Sequence, residues 1–261
     1  MNVIKDNTVR FGILQLDIKW ENVDENLLTI GKVISSHKDE FDVLLLPEMF
    51  ATGFSMDVSK IAQTMDGVIL QWMKEQSVLN KIAIIGSVAI VEDGKFYNRA
   101  VYINNGQVNY YDKRHLFSMG GEDKSFSAGA ERVVFDYNGV KILPVVCYDI
   151  RFPVWLRNTG DYDVMVCMAN WPIPRIKVWD TLLQARAIEN QCLCIGVNRV
   201  GEGDNLKYNG NSAAIDAKGK VLVLSKEQKT NLEIVDFDLA AQNNFREKFP
   251  VLNDADCFSI E

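Results

Sequence analysis

The chain has 261 residues, 48% of them hydrophobic and 24% charged, and carries a formal net charge of −7. That balance suits one large α/β domain of ordinary globular composition. The acidic charge argues against a nucleic-acid binder, which would show a basic face, and no apolar run reaches the length of a membrane span.

In chain order, residues 8–18 mix alternation with a solid apolar centre and predict a first strand. Over 22–38, Val23, Leu27, Leu28, Ile30, Val33 and Ile34 recur at helical spacing. Residues 41–46 form a short apolar strand that stops at Pro47-Glu48, and 49–54 a glycine-containing loop. Residues 68–79 read as a helix and 81–91 as a strand. Asp93-Gly94 turns into another strand over 98–103, and Asn104-Asn105-Gly106 turns again. Residues 110–115 lead into a long loop, 116–132. An apolar run then ends at Cys147, and a helix begins at Pro153. Residues 163–168 are a buried strand ending at Asn170-Trp171, 177–189 a helix and 192–198 a strand. Segments 212–216, 220–224 and 232–236 predict a late β meander, and 240–261 a polar, aromatic tail. Strands alternating with helices in both halves, without a linker, predict one α/β domain with buried sheets.

Three of the apolar strands end at polar or reactive residues: LLLPE at Glu48, PVVCY at Cys147 and VMVCMANW at Asn170-Trp171. Functional groups of α/β proteins gather at the carboxyl ends of strands, so one cleft is expected to hold all three. Cys147 is a candidate nucleophile there, with N–H groups of the following turn ready for developing negative charge. Its bland alternative is a core cysteine. The other cysteines, Cys167, Cys192, Cys194 and Cys257, complete an odd set without a CxxC pair. Neither a disulfide framework nor a zinc site is expected. The N-terminus lacks the basic and apolar regions of a secretory signal, and the protein is read as cytoplasmic.

A thiol of ordinary pKa, about 8.5, needs a base. Of the two histidines, His37 follows a Ser-Ser pair at the end of a surface helix, which leaves only His115 for a Cys–His pair. A glutamate serves equally when burial raises its pKa, and Glu48, directly after an apolar strand, is the better candidate. Lys113 closes a short β segment at the mouth of the long loop, where it could stabilise an oxyanion. A lone lysine is otherwise a surface charge.

LLLPEMFATGF around Glu48, YYDKRHLF around Lys113 and VVCYDIRFP around Cys147 resemble the Glu-Lys-Cys signature of the nitrilase (carbon-nitrogen hydrolase) superfamily, in the same order. The resemblance runs over residues 9–258. It implies a four-layer αββα sandwich forming a single domain over 1–261, with the tail from about 240 packed on it or across a dimer interface. It implies a homodimer, no metal and no organic cofactor. By the same resemblance Glu48 is the general base, Lys113 the oxyanion stabiliser and Cys147 the nucleophile. Glu122 positions the lysine or the substrate, and the N–H of Tyr148 completes the oxyanion hole.

Cys147-Tyr148-Asp149 resembles the amidase branches rather than the Cys-Trp-Glu of nitrilases proper. PEMFATGFSMD, KRHLFSMGGE, ANWPIPR, ARAIENQ and FREKFPVLNDAD resemble the bacterial omega-amidases. This implies hydrolysis of the terminal amide of 2-oxoglutaramate or 2-oxosuccinamate, with a glutamine or asparagine aminotransferase as metabolic partner. Such a substrate needs a cation for its carboxylate, for which Arg175 is the first choice and Arg151 the second; Arg151 would otherwise pair with Asp149. Phe50, Phe54, Phe117 and Trp171 are expected to wall the pocket, and Arg186 and Glu189 to join a buried polar network. Two kinds of alternative stay open. One is another amidase, acting on N-carbamoyl amides, aliphatic amides or deaminated glutathione. The other is a non-catalytic interaction module that kept the fold, against which the intact Glu48, Lys113 and Cys147 argue.

Overall fold

A computed structural model describes residues 8–225 and 228–260. The first half contributes β1 (Thr8–Gln15), β2 (Val43–Leu45), β3 (Ala83–Glu92), β4 (Lys95–Asn104) and β5 (Gln107–Asp112). The second half adds β6 (Phe135–Tyr137), β7 (Val140–Val146), β8 (Val164–Ala169) and β9 (Leu193–Asn198). After them come β10 (Val200–Gly203), β11 (Leu206–Asn209), β12 (Ala213–Ile215), β13 (Val221–Leu224) and β14 (Asn231–Asp238). They form two six-stranded sheets, ordered β14-β1-β2-β3-β4-β5 and β13-β12-β9-β8-β7-β6, plus the hairpin β10-β11. In the centre of each sheet the strands run parallel. Both faces of such strands are covered, which is why they read as continuous apolar runs.

The pleat sorts these runs into two cores. Val9, Phe11, Ile13, Val43, Leu45, Ala83 and Ile85 pack with Ile142, Val164 and Val166 between the sheets. Their neighbours Leu14, Leu44 and Ile84 face Leu27, Ile30, Ile34, Leu70 and Met73 of the helices Val23–Ser36 and Val68–Asn80. On the other flank, helix Ile176–Glu189 sets Trp179, Leu183 and Ala187 against the second sheet. Helix, sheet, sheet, helix: the expected αββα layering is the architecture. Each fully buried side chain of this size contributes about 1.5–3 kcal/mol relative to exposure.

Three regions depart from the sequence pattern. The strand expected to close a late meander, β14, crosses to the first sheet and pairs antiparallel with β1, from Thr8↔Asp238 to Gln15↔Asn231. The tail starts as a helix, Leu239–Lys248, N-capped by Asp238. Arg246 ties that helix down through Asp163 Oδ1 at 2.8 Å and the carbonyl of Tyr162 at 2.9 Å. The hairpin β10-β11, which no apolar pattern announces, leaves the second sheet and donates Val200 N–H to Leu16 O at 3.0 Å, bridging to the end of β1. Among the described residues no helix is long and apolar enough to cross a membrane.

Candidate active site

The ends of β2, β7 and β8 converge. Asn170, just past β8, donates its backbone N–H to Glu48 Oε2 at 2.9 Å and its Nδ2 to the Glu48 carbonyl at 2.7 Å. These bonds stitch the carboxyl end of one sheet to that of the other. Cys147 opens a 3-10 turn, Cys147–Arg151, directly after β7, with φ at +47°. A non-glycine residue keeps that left-handed conformation only when its surroundings hold it. Here Val146 N–H donates to Asp149 Oδ2 at 3.2 Å, and Arg186 Nε donates to Ile150 O at 2.9 Å. The buried Arg186 also pairs with Glu189 at 2.7 Å, but Glu189 is half-exposed, so the expected polar network is buried on the arginine side only. The Cys147 thiol and the Glu48 carboxylate line one cavity, close enough for the carboxylate's charge to act on the thiol.

Behind Glu48 lies a dry charged centre. The buried Lys113 Nζ donates to Glu48 Oε1 at 2.9 Å, and to Glu122 Oε1 and Oε2 at 3.0 and 2.8 Å. Asn98 Nδ2 donates to Glu48 Oε1 at 2.9 Å and to Glu122 Oε1 at 3.0 Å. Ser87 orients Asn98 by donating to its Oδ1 at 2.9 Å. Phe117 N–H completes Glu122 through Oε2 at 2.6 Å. Burial opposes the charge of Lys113, but Glu122 and Glu48 outweigh it and hold the ammonium above its usual pKa. Burial lifts Glu122 above the ordinary carboxylate value while Lys113 pulls it back. Burial, reinforced by Glu48, pushes the Cys147 thiol well above its usual value. The resting thiol is therefore protonated near neutral pH and needs a base in contact with it. Glu48 is the carboxylate that shares its cavity wall.

A cavity of ≈ 90 Å³ opens on this centre, with Glu48, Cys147 and Tyr148 on its wall. Phe54, Phe117 and Trp171 supply aromatic surface, and Arg151 and Arg175 reach the same space. Arg151 Cζ lies 5.0 Å from the Trp171 ring centre, and Arg175 Cζ 5.3 Å from that of Phe117. Among the described residues neither guanidinium meets a carboxylate. The Arg151–Asp149 pair is not formed, because Asp149 is taken up by His115 and Tyr111. His115 thus faces Asp149, so the Cys–His pairing is not what the fold builds. Phe50 is the expectation that fails. It continues the helix-facing set of Leu44 and Leu46, and its ring fills the space over Gly86, where a Cβ would come within 2.7 Å of it. Phe50 is core.

Sequence reading missed Asn98, Ser87 and the hairpin residues Asp204, Leu206 and Tyr208, which line the cavity's far side. Asn98 had a signal. It shares a strand face with Ala100 and Tyr102, both buried between the sheets, and a polar residue on a core face requires partners.

The carbon-nitrogen hydrolase family signature matches residues 10–247. The chain is 41% identical to a protein named omega-amidase YafV from Yersinia enterocolitica, over 97% of this chain and 99% of that one. It is 35% identical to a 2-oxoglutaramate amidase of Bacillus subtilis, over 92% and 95%. A solved CN-hydrolase superfamily protein of Xanthomonas campestris, with an arsenic adduct in its active site, superposes with a TM-score of 0.94 at 37% identity, over 97% and 99%. The chain belongs to the carbon-nitrogen hydrolase family of the nitrilase superfamily, as a hydrolase of carbon–nitrogen bonds in amides.

Proposed function

We propose that the chain is an omega-amidase, releasing ammonia from the terminal amide of 2-oxoglutaramate or 2-oxosuccinamate. The observation that carries this reading is the pair Arg151 and Arg175, two guanidinium groups without a carboxylate partner among the described residues, in the cavity that also holds Cys147. Leaving cations half-buried beside aromatic rings is costly unless an anion completes them. A substrate carboxylate does so in bidentate fashion. A cavity of ≈ 90 Å³ suits a five-carbon acid better than a tripeptide, which disfavours deaminated glutathione. The relatives named omega-amidase and 2-oxoglutaramate amidase support the same choice.

In this reading Glu48 takes the thiol proton as Cys147 Sγ attacks the amide carbon. Lys113 Nζ and the Tyr148 N–H, a first-turn donor of the 3-10 segment, stabilise the tetrahedral oxyanion. Glu48 returns the proton to the leaving nitrogen, ammonia departs, and a thioester remains on Cys147. Water, deprotonated by Glu48, attacks the thioester carbonyl, and the acid and the thiol are released. Glu122 keeps Lys113 in place throughout, and no cofactor takes part. The whole chain acts as one domain, within a homodimer. Exposed Val154, Phe258 and Ile260, which border adjoining surface clefts, support a partner on that face. An aminotransferase acting on glutamine or asparagine would supply the substrate.

The deciding experiment is ammonia release from 2-oxoglutaramate beside glutamine, a carbamoyl-amino acid and a simple nitrile. Preference for 2-oxoglutaramate over glutamine by at least about a hundredfold, near 2.7 kcal/mol of transition-state discrimination, is expected. Turnover of another amide with silence on this one would discard the keto-acid reading.

A further inference from the structure

Asp149 is fully buried on the turn that begins at Cys147, two residues beyond the thiol. Its Oδ1 accepts the backbone N–H of His115 at 2.8 Å and lies 2.8 Å from His115 Nδ1. Its Oδ2 accepts the Tyr111 hydroxyl at 2.9 Å and Val146 N–H at 3.2 Å. A carboxylate can only accept, so His115 Nδ1 carries its proton. Tyr111 and His115 stand two residues before and two residues after Lys113. One carboxylate therefore grips the lysine-bearing segment on both sides, from the turn that presents the thiol.

The clamp is itself braced. The His115 ring stacks on Phe152 at 3.8 Å with planes 6° apart, and the Tyr111 oxygen also accepts from Trp155 Nε1 at 3.2 Å. Asp149, Tyr111 and His115 are absent from the cavity wall, which is formed by other residues. They act on the reaction from behind the wall, through the Lys113 segment and the turn that carries Cys147. Displacing reacting groups by about 1 Å costs on the order of a hundredfold in rate, so a device that fixes this spacing has a large effect to exert.

We propose that Asp149, with His115 and Tyr111, is a positioning unit that sets the placement of Lys113 relative to Cys147. This rests on the reading of those two residues as the reacting pair, so a Cys147→Ala control accompanies the test. The variants are His115→Leu, His115→Asn and Tyr111→Phe, assayed for kcat and KM on the best amide substrate. In His115→Leu, kcat is expected to fall by about ten- to hundredfold with KM within about twofold. His115→Asn, whose Nδ2 can stand in the place of Nδ1 and donate to Asp149, is expected to recover most of kcat. Tyr111→Phe keeps the ring and loses one donor, with a loss of severalfold. An unchanged kcat in His115→Leu, a matching rise in KM, or no recovery in His115→Asn overturns the proposal. Should His115→Leu fail to fold, Tyr111→Phe decides, and an unchanged kcat there overturns it. Turnover retained by Cys147→Ala would instead bring down the catalytic reading beneath it.

Discussion

Glu48 and Glu122 share their donors: Asn98 Nδ2 and Lys113 Nζ each reach Oε1 of both residues, at distances from 2.9 to 3.0 Å. Two buried carboxylates are thus arranged around a single ammonium. That arrangement locks the lysine charged, and burial, reinforced by Glu48, keeps the Cys147 thiol protonated. It also divides labour, since Glu48 reaches the cavity while Glu122 is filled from the protein side alone.

Asn98→Leu tests the shared amide. Leucine matches the volume but leaves both carboxylates one donor short and strands the Ser87 hydroxyl. A buried acceptor left unsatisfied costs about 1–3 kcal/mol, and more when charged. Urea unfolding is expected to show a loss of about 2–3 kcal/mol, and kcat a loss of at least tenfold. A variant within about 0.5 kcal/mol of the parent, with unchanged kcat, would deny Asn98 this role.

Glu122→Gln looks conservative and is expected not to be. Both oxygens of Glu122 accept two N–H groups each: Lys113 and Asn98 on Oε1, Lys113 and Phe117 N–H on Oε2. Either orientation of a glutamine turns its NH2 towards donors. The expected result is a hundredfold or greater loss of kcat in a protein that still folds, with about 1–3 kcal/mol less stability. Near-parental kcat in Glu122→Gln would show that the second carboxylate is dispensable.

Arg175→Ala and Arg151→Ala separate the carboxylate contacts. Hydrogen bonds to a charged group contribute about 1.5–3 kcal/mol, so KM for 2-oxoglutaramate is expected to rise by about ten- to a hundredfold in the variant that removes the clamp. KM for a neutral amide of similar length should hardly move. An arginine whose loss affects both substrates equally is packing surface, not a carboxylate site.

The catalytic end of the cleft was legible because it lies where apolar strands stop abruptly. LLLP breaks at Glu48, PVV at Cys147 and VMVCMA at Asn170, and each break puts a polar side chain at a sheet's edge. The far side was not. Asp204, Leu206 and Tyr208 sit in and beside strands of four residues with glycine and charge, VGEG and LKYN, too short for a period to show. Phe50 was misplaced for a different reason. An aromatic residue near a strand end carries no sign of which core it enters, and here the register of Leu44 and Leu46 decided it. The crossing of β14 to the first sheet is a long-range pairing, invisible in the local pattern of 232–236.

Alkaline pH is expected to destabilise this protein through its buried thiols. Burial raises the thiols of Cys147, Cys167 and Cys194 well above their usual value, and that of Cys192 to about 12. In the unfolded chain the same thiols release their protons near pH 8.5. Between those values the native state holds more protons than the unfolded state, so stability falls as pH rises. Each such thiol removes up to about 1.4 kcal/mol per pH unit, while below about pH 8 its contribution is fully present. Lys113, also raised, adds a loss of the same sign only above about pH 10.4. Urea unfolding between about pH 8 and pH 10 is therefore expected to show a steep decline. Cys192→Ala, remote from the cavity, should lower that slope by up to about 1.4 kcal/mol per pH unit. A flat profile in the parent, or an undiminished slope in Cys192→Ala, would mean that these thiols titrate alike in the folded and unfolded states.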